Sequence, residues 1–212
     1  VWSISFSLVI AFSCILSFGQ FDFAKASERS FELKVQDVKI KGKDCTNEYN
    51  STLISEDGQV FSVLFTGFKV ANRDAGTRVM KKCRLRYEIL APAQWSFGIV
   101  SAEFRGFSIV RGDAYARHRA TYEIFDKGSR EDSEREELFN VRIDEGVGNY
   151  ARFHDIPLDE VTWSSCNSVS KILMIQSSIS ARVQDFGEAS ISVNSIDGFI
   201  ANSFGLVWKP CL

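Results

Sequence analysis

Apolar side chains recur at every second position through most of this chain, and that period restricts what it can build. Cys83, Leu85, Tyr87 and Ile89 share one side of an extended segment, while Arg84, Arg86 and Glu88 take the other. Leu173, Ile175, Ile179, Ala181 and Val183 repeat the pattern, as do Ala189, Ile191 and Val193, and Phe139, Val141 and Ile143. Such alternation makes strands with one face on a core and one face in water. Further strands are expected at Phe31–Ile40, Gln59–Val70, Trp95–Val110, Ala114–Phe125 and Phe199–Trp208, about nine to eleven in all. Turn signals separate them at Glu56-Asp57-Gly58, Arg111-Gly112-Asp113, Asp126-Lys127-Gly128 and Ile196-Asp197-Gly198. Two strands change phase midway. Phe31, Leu33 and Val35 give way to Val38 and Ile40, and Trp95, Phe97 and Ile99 give way to Phe104. A bulge, or a strand passing between sheets, accounts for both. The expected fold is all-β: a two-sheet antiparallel β-sandwich, jelly-roll-like or Ig-like, with a barrel as the competing closure.

Residues 5–18 form an uncharged apolar run, shorter than the roughly 20 residues a spanning helix needs. Ala24-Lys25-Ala26 follows it with the small-x-small pattern of a signal-peptidase site. Residues 1–26 therefore read as an N-terminal signal helix, and residues 27–212 as a single β-sandwich domain without a further membrane span. The rival reading is a retained membrane anchor. Asp22 and Lys25 cancel, so cleavage leaves the net charge of −2 unchanged. That balance gives no long-range pull toward nucleic acid. Three prolines and fourteen glycines exclude a collagen-like or low-complexity chain.

Setting aside Cys14, four cysteines remain: Cys45, Cys83, Cys166 and Cys211. An even count in an exported chain implies two disulfides and a secreted or cell-envelope location. Four cysteines allow three pairings and spacing does not choose among them. The preferred arrangement joins near neighbours, Cys45 to Cys83 and Cys166 to Cys211. Zinc is the other use of four thiolates, but they are scattered and no C-x-x-C pair occurs, so no metal and no cofactor is expected.

At these positions the chain resembles the exported four-cysteine family known as domain of unknown function 4360. The likeness is carried by Asp44-Cys45, by Lys81-Lys82-Cys83-Arg84-Leu85, and by Phe104-Arg105-Gly106-Phe107. It continues through Thr121-Tyr122-Glu123-Ile124-Phe125, Trp163-x-x-Cys166 and Trp208-x-x-Cys211. It spans roughly residues 40 to 211. The resemblance implies an exported β protein with two disulfides and no defined activity. The charged insert near Glu131–Glu137, and Asn167 where the family commonly has glycine, depart from its pattern.

Catalytic constellations are weak. His118 shares a strand face with Ala116, Ala120 and Tyr122, which suits a packed, hydrogen-bonded histidine. His154, Asp155 and Ser165 could form a triad on paper, but no Gly-x-Ser-x-Gly elbow is present. Glu103, Glu123, Asp144 and Glu145 are the candidate glycosidase carboxylates, with Glu103 and Glu123 expected on neighbouring strands beside Arg105, Arg117 and Arg119. The plainer account of that set is a cross-strand ladder of opposite charges. The acidic loop 126–137 is broken by Arg130 and Arg135 and lacks EF-hand spacing. Asn50-Ser51-Thr52 is a glycosylation sequon. Eighteen phenylalanines are many for a chain this long; most fit core positions of strands, and an outward row such as Phe68, Phe107, Phe125 or Phe153 with Tyr115 and Trp95 would suit sugar rings or a protein surface. The candidate binding face is Trp95, Phe107, Tyr115, Arg105, Arg117 and Arg119. The function expected is an extracellular or cell-surface binding or structural module without catalytic residues, its partner a carbohydrate or a surface protein. A hydrolase of extracellular polysaccharide and a secreted inhibitor acting through the charged loop are the alternatives.

Overall fold

The computed structural model describes residues 34–41, 45, 51–56, 59–65, 67–92, 94–129, 135–193 and 202–211. The expected signal helix, the sequon asparagine, residues 130–134 of the charged insert and the turn expected at 196–198 lie outside the described residues. Ten strands are described: β1 (Lys34–Lys41), β2 (Ser51–Ile54), β3 (Val60–Leu64), β4 (Lys69–Asn72), β5 (Arg78–Leu90), β6 (Trp95–Asp126), β7 (Glu136–Ile143), β8 (Gly146–Asp155), β9 (Ser170–Ser192) and β10 (Asn202–Pro210). All pairings are antiparallel and all ten strands belong to one hydrogen-bonded sheet. The main path runs β1-β5-β9-β6-β10-β3-β2, with β4 on β9 and both β7 and β8 on β6.

The alternation in β5 does what its sequence implies. Cys83, Leu85, Tyr87 and Ile89 are buried, while Lys82, Arg84 and Arg86 face outward. The expected phase slips are bulges. The register of β1 on β5 shifts between Val35 and Asp37. That of β10 on β6 shifts at Gly205/Leu206, opposite Val100, and moves burial from Ile99 to Ala102 and Phe104.

Two expected boundaries are wrong. Arg111-Gly112-Asp113 does not end a strand: β6 is continuous for 32 residues, and its partner β9 for 23. They pair from Asp126↔Lys171 to Phe107↔Ser192, with a register shift between Gly112 and Ala114. Conversely, the single strand expected over 59–70 is two, β3 and β4, broken at Gly67.

The continuous ladder is sharply folded where Gly112 faces Gly187. Both glycines have positive φ, 73° and 119°. A Cβ on Gly112 would sit 2.8 Å from the Phe186 carbonyl oxygen, and one on Gly187 would collide with the Arg111 carbonyl. Glycine therefore supplies both the dihedral and the room. The result is visible in the core. Phe104 and His118 are fourteen positions apart on one strand, which fully extended would separate them by roughly 46 Å. Their rings lie edge to face at 5.5 Å.

The space enclosed by this fold is filled by aliphatic side chains and a set of stacked aromatic rings. Phe104 stacks on Phe139 at 4.7 Å, and Phe61 on Phe204 at 4.8 Å. Phe61, Phe97, Phe104 and Phe204 are all fully buried, each worth about 2–3 kcal/mol of transfer free energy. Seven of the eleven described phenylalanines are buried, Phe68 among them, whereas Phe153 and Phe186 are exposed. Cys45 is bonded to Cys83, 38 positions apart, and Cys166 to Cys211, 45 positions apart.

Candidate functional site

The outward face of β5, β9, β6 and β7 gathers a cluster of cationic side chains. β9 runs down its middle and contributes small polar side chains: Gln176, Ser178 and Ser180. Register places Lys82 and Arg119 on either side of Ser178, Met80 and Arg117 on either side of Ser180, and Arg84 and Thr121 on either side of Gln176. Short residues between long ones leave a cleft of about 380 Å³, floored by β9 and walled by cations from β5 and β6, with Arg135 also at its rim.

Five cations line this cleft: Arg78, Lys82, Arg117, Arg119 and Arg135. Two are neutralised. Arg119 pairs with Glu137 at 2.7 Å, and Arg135 pairs with Glu123. Among the described residues no carboxylate pairs with the other three. Arg78 donates to Ser180 Oγ at 3.1 Å. Arg117 Nε is buried and has no hydrogen-bond partner. Like charges held across β9 repel one another, and no acidic side chain among the described residues offsets Arg78, Lys82 or Arg117.

Beneath the cleft, on the core side of β6, lies a closed polar network. His118 is fully buried; its Nε2 meets Ser177 Oγ at 2.9 Å and its Nδ1 meets Tyr150 Oη at 3.1 Å. Burial pushes its pKa down to about 3, so the ring is neutral. Burial also raises the Tyr150 phenol far above its ordinary value. Both imidazole nitrogens are engaged, and the ring has no route to solvent. This is the packed histidine expected from its strand face.

The six residues singled out from the sequence do not converge. Arg117 and Arg119 line the cleft, and Tyr115 adjoins it, its ring covered by the Arg142 guanidinium at 3.9 Å. Arg105 and Phe107 share their outward phase, but the fold at Gly112 carries them to another side. There Arg105 pairs with Glu103, and Phe107 lines a separate groove with Lys69 and Ala71. Trp95 begins β6, half-buried beside Pro210.

The carboxylate pair does not form either. Glu103 and Glu123 lie on the same strand, each held by its own arginine. The paper triad is not assembled: Ser165 donates to Asp126 at 2.5 Å, while His154 is exposed on β8. The cross-strand charge ladder accounts for Arg119, paired with Glu137 on β7; Arg105 pairs within its own strand, and Arg117 pairs with no carboxylate among the described residues. Sequence reasoning missed Arg78, Lys82, Ser178, Ser180 and Arg135. Their outward phase was readable, but their neighbourhood depends on β5 and β6 flanking β9. Among the described residues no cluster of His, Cys, Asp and Glu is placed to hold a metal, and no helix is long and apolar enough to cross a membrane.

Sheet, crosslinks and cleft together define a disulfide-linked, all-β protein with a basic outer face. The chain belongs to the family described as domain of unknown function (DUF4360), whose model matches residues 32–211. It is 22% identical over 178 residues to an uncharacterized secreted protein of Arthroderma benhamiae, covering 82% of this chain and 70% of that one. Two solved structures are similar at lower levels. One is TmCBM61 in complex with beta-1,4-galactotriose, 9% identical, covering 83% of this chain and 91% of that chain, with a TM-score of 0.28. The other is the enzymatically active domain of bacteriophage CBA120 tailspike protein 4, 12% identical, covering 81% and 19%, with a TM-score of 0.23. Likenesses this slight say nothing about the ligand of this chain. The two disulfides and the secreted relative point to an extracellular location.

Proposed function

We propose that the chain is an exported, non-enzymatic binding module that takes up negatively charged ligands through the cleft along β9. Residues 1–26 would direct export, and residues 27–212 would form one domain. Its architecture is read as a β-sandwich made by folding a single sheet at Gly112 and Gly187. The edge-to-face contact between Phe104 and His118 supports that layered reading.

One observation carries the functional reading. A chain of net charge −2 gathers Arg78, Lys82 and Arg117 around a serine floor without acidic partners among the described residues. Guanidinium groups bind carboxylate, sulfate or phosphate oxygens through paired hydrogen bonds. Glycoside hydrolysis needs two carboxylates flanking the bond to be cut, and none lines this cleft among the described residues.

The test is titration calorimetry of the intact exported protein with polygalacturonate and with a neutral glucan, at low and at moderate salt. Binding to the acidic polymer alone, weakening as salt rises, is expected. The combined variant Arg78→Gln, Lys82→Gln, Arg117→Gln should lose that binding while unfolding at a temperature no lower than that of the parent, since mutual repulsion is relieved. Equal affinity for both polymers, or full binding by the folded triple variant, would overturn the proposal.

A further inference from the structure

We infer that the ligand is a linear acidic polysaccharide lying lengthwise along β9, anchored by Arg117. This rests on the cleft being the working surface and goes on to name what fills it.

The spacing of the cations points to a chain and not to a lone ion. Same-face neighbours on a strand are about 7 Å apart, and adjacent strands are about 4.8 Å apart. Arg117 stands one such step from Arg119, whose charge Glu137 offsets; opposite on β5, Arg78 and Lys82 are two steps apart with Met80 between them, and the cations of β5 and β6 face one another across roughly 10 Å. A small anion meets one or two of these groups. An extended polymer with recurring negative charge meets the cations of both strands in succession.

The floor narrows the chemistry. Gln176 and Ser178, both half-buried, present an amide and a hydroxyl between the two strands, while Ser180 is buried beneath Arg78 and accepts from it. Ser178 Oγ donates to the Arg119 carbonyl at 3.3 Å and keeps capacity to accept, and the Gln176 amide N–H groups can donate, which suits a polymer dense in hydroxyls. No aromatic side chain lines the cleft among the described residues, so bases would find no platform to stack on. β9 is hydrogen-bonded along both edges, to β5 and to β6, so a peptide could not add to it as a strand. Charge recognition with hydroxyl contacts is what remains.

Arg117 holds the central place. Its Nε is the unpartnered buried donor, and it sits beside Ser180 in register. A carboxylate or sulfate at that point would satisfy the donor and offset the charge of Arg78 across the floor.

The experiment is calorimetry with a length series of oligogalacturonates, from monomer to hexamer, on the intact exported protein. Sulfated oligosaccharides of matching length form a second arm, and a single-stranded oligonucleotide and polyglutamate a third. Affinity should rise at least tenfold from dimer to hexamer and then level off. Arg117→Gln should weaken hexamer binding about tenfold, and Lys82→Gln several-fold, with circular dichroism confirming that both variants fold. Preference between the carboxylate and sulfate arms identifies the acidic group. Equal affinity for monomer and hexamer would overturn the linear ligand while leaving an anion site. Tighter binding of the oligonucleotide or of polyglutamate would overturn the polysaccharide assignment. If no anion binds in any arm, the cleft is not the working surface and both proposals fall together.

Discussion

His118 shows how one side chain can tie stability to acidity. In the unfolded chain an ordinary histidine takes up a proton near pH 6.5, whereas the buried ring resists protonation until about pH 3. The unfolded state thus binds the extra proton between these values, and stability falls as pH drops through that window. The slope is about 1.4 kcal/mol for each pH unit once the pH is well below 6.5. Glu88 acts in the same direction at lower pH. Hydrogen bonds from Lys127, at 2.5 Å, and from Ser170, at 2.7 Å, lower its pKa from 4.5. Its stabilising contribution is present above that value and is lost as pH falls through the lowered one. Urea denaturation at pH 7, 6, 5 and 4 should therefore show declining stability before carboxylates titrate. The variant His118→Gln should flatten the limb between pH 6.5 and 5 and retain the steeper loss below 4.5. The burial of His118 was legible from its alanine neighbours at alternate positions. Its partners were not, because Ser177 and Tyr150 reach it from β9 and β8, far off in sequence.

At the scale of elements, β6 and β9 form one long ladder bent at facing glycines. The signal at Arg111-Gly112-Asp113 fits a turn between strands as well as it fits a bend, because the two ask the same thing of the backbone. Both need a residue free to take positive φ. What separates them is whether the chain beyond the glycine pairs with the strand before it or with a third strand. Here both halves of β6 pair with β9, a long-range fact that local pattern does not carry. The bulges in β1 and β6 were legible because they leave a phase shift in the hydrophobic pattern itself. Gly187→Ala tests the bend. The new methyl would strike the Arg111 carbonyl at a φ of 119°, and the expected cost is at least about 2 kcal/mol, read as a lowered thermal midpoint. Gly128→Ala is the control. Its φ is 93°, but nothing stands within 4 Å of the added Cβ, so the loss should stay near ~1 kcal/mol. Equal losses would mean that crowding at Gly187 contributes nothing.

At the scale of the whole molecule, the two crosslinks differ in how water reaches them. Cys83 and Cys45 are buried, whereas Cys166 is exposed. Under native conditions a thiol reductant should open Cys166–Cys211 first, and Cys45–Cys83 only once the chain unfolds, which timed alkylation and peptide mass mapping will show. Each bridge closes a loop of about 40 residues, and its loss is expected to cost roughly 3–4 kcal/mol. The presence of two disulfides was legible from an even cysteine count behind an export-like segment. The basic cleft was not, since Lys82 and Arg119 become neighbours only because β9 comes between them. β9 also lies late in the chain. During synthesis and translocation β5 and β6 emerge first, each with an edge that stays bare until residues 170–192 arrive. A transport intermediate stalled before that point would expose two sticky borders at once, so secretion of this fold calls for a holding chaperone or for rapid passage of its final third.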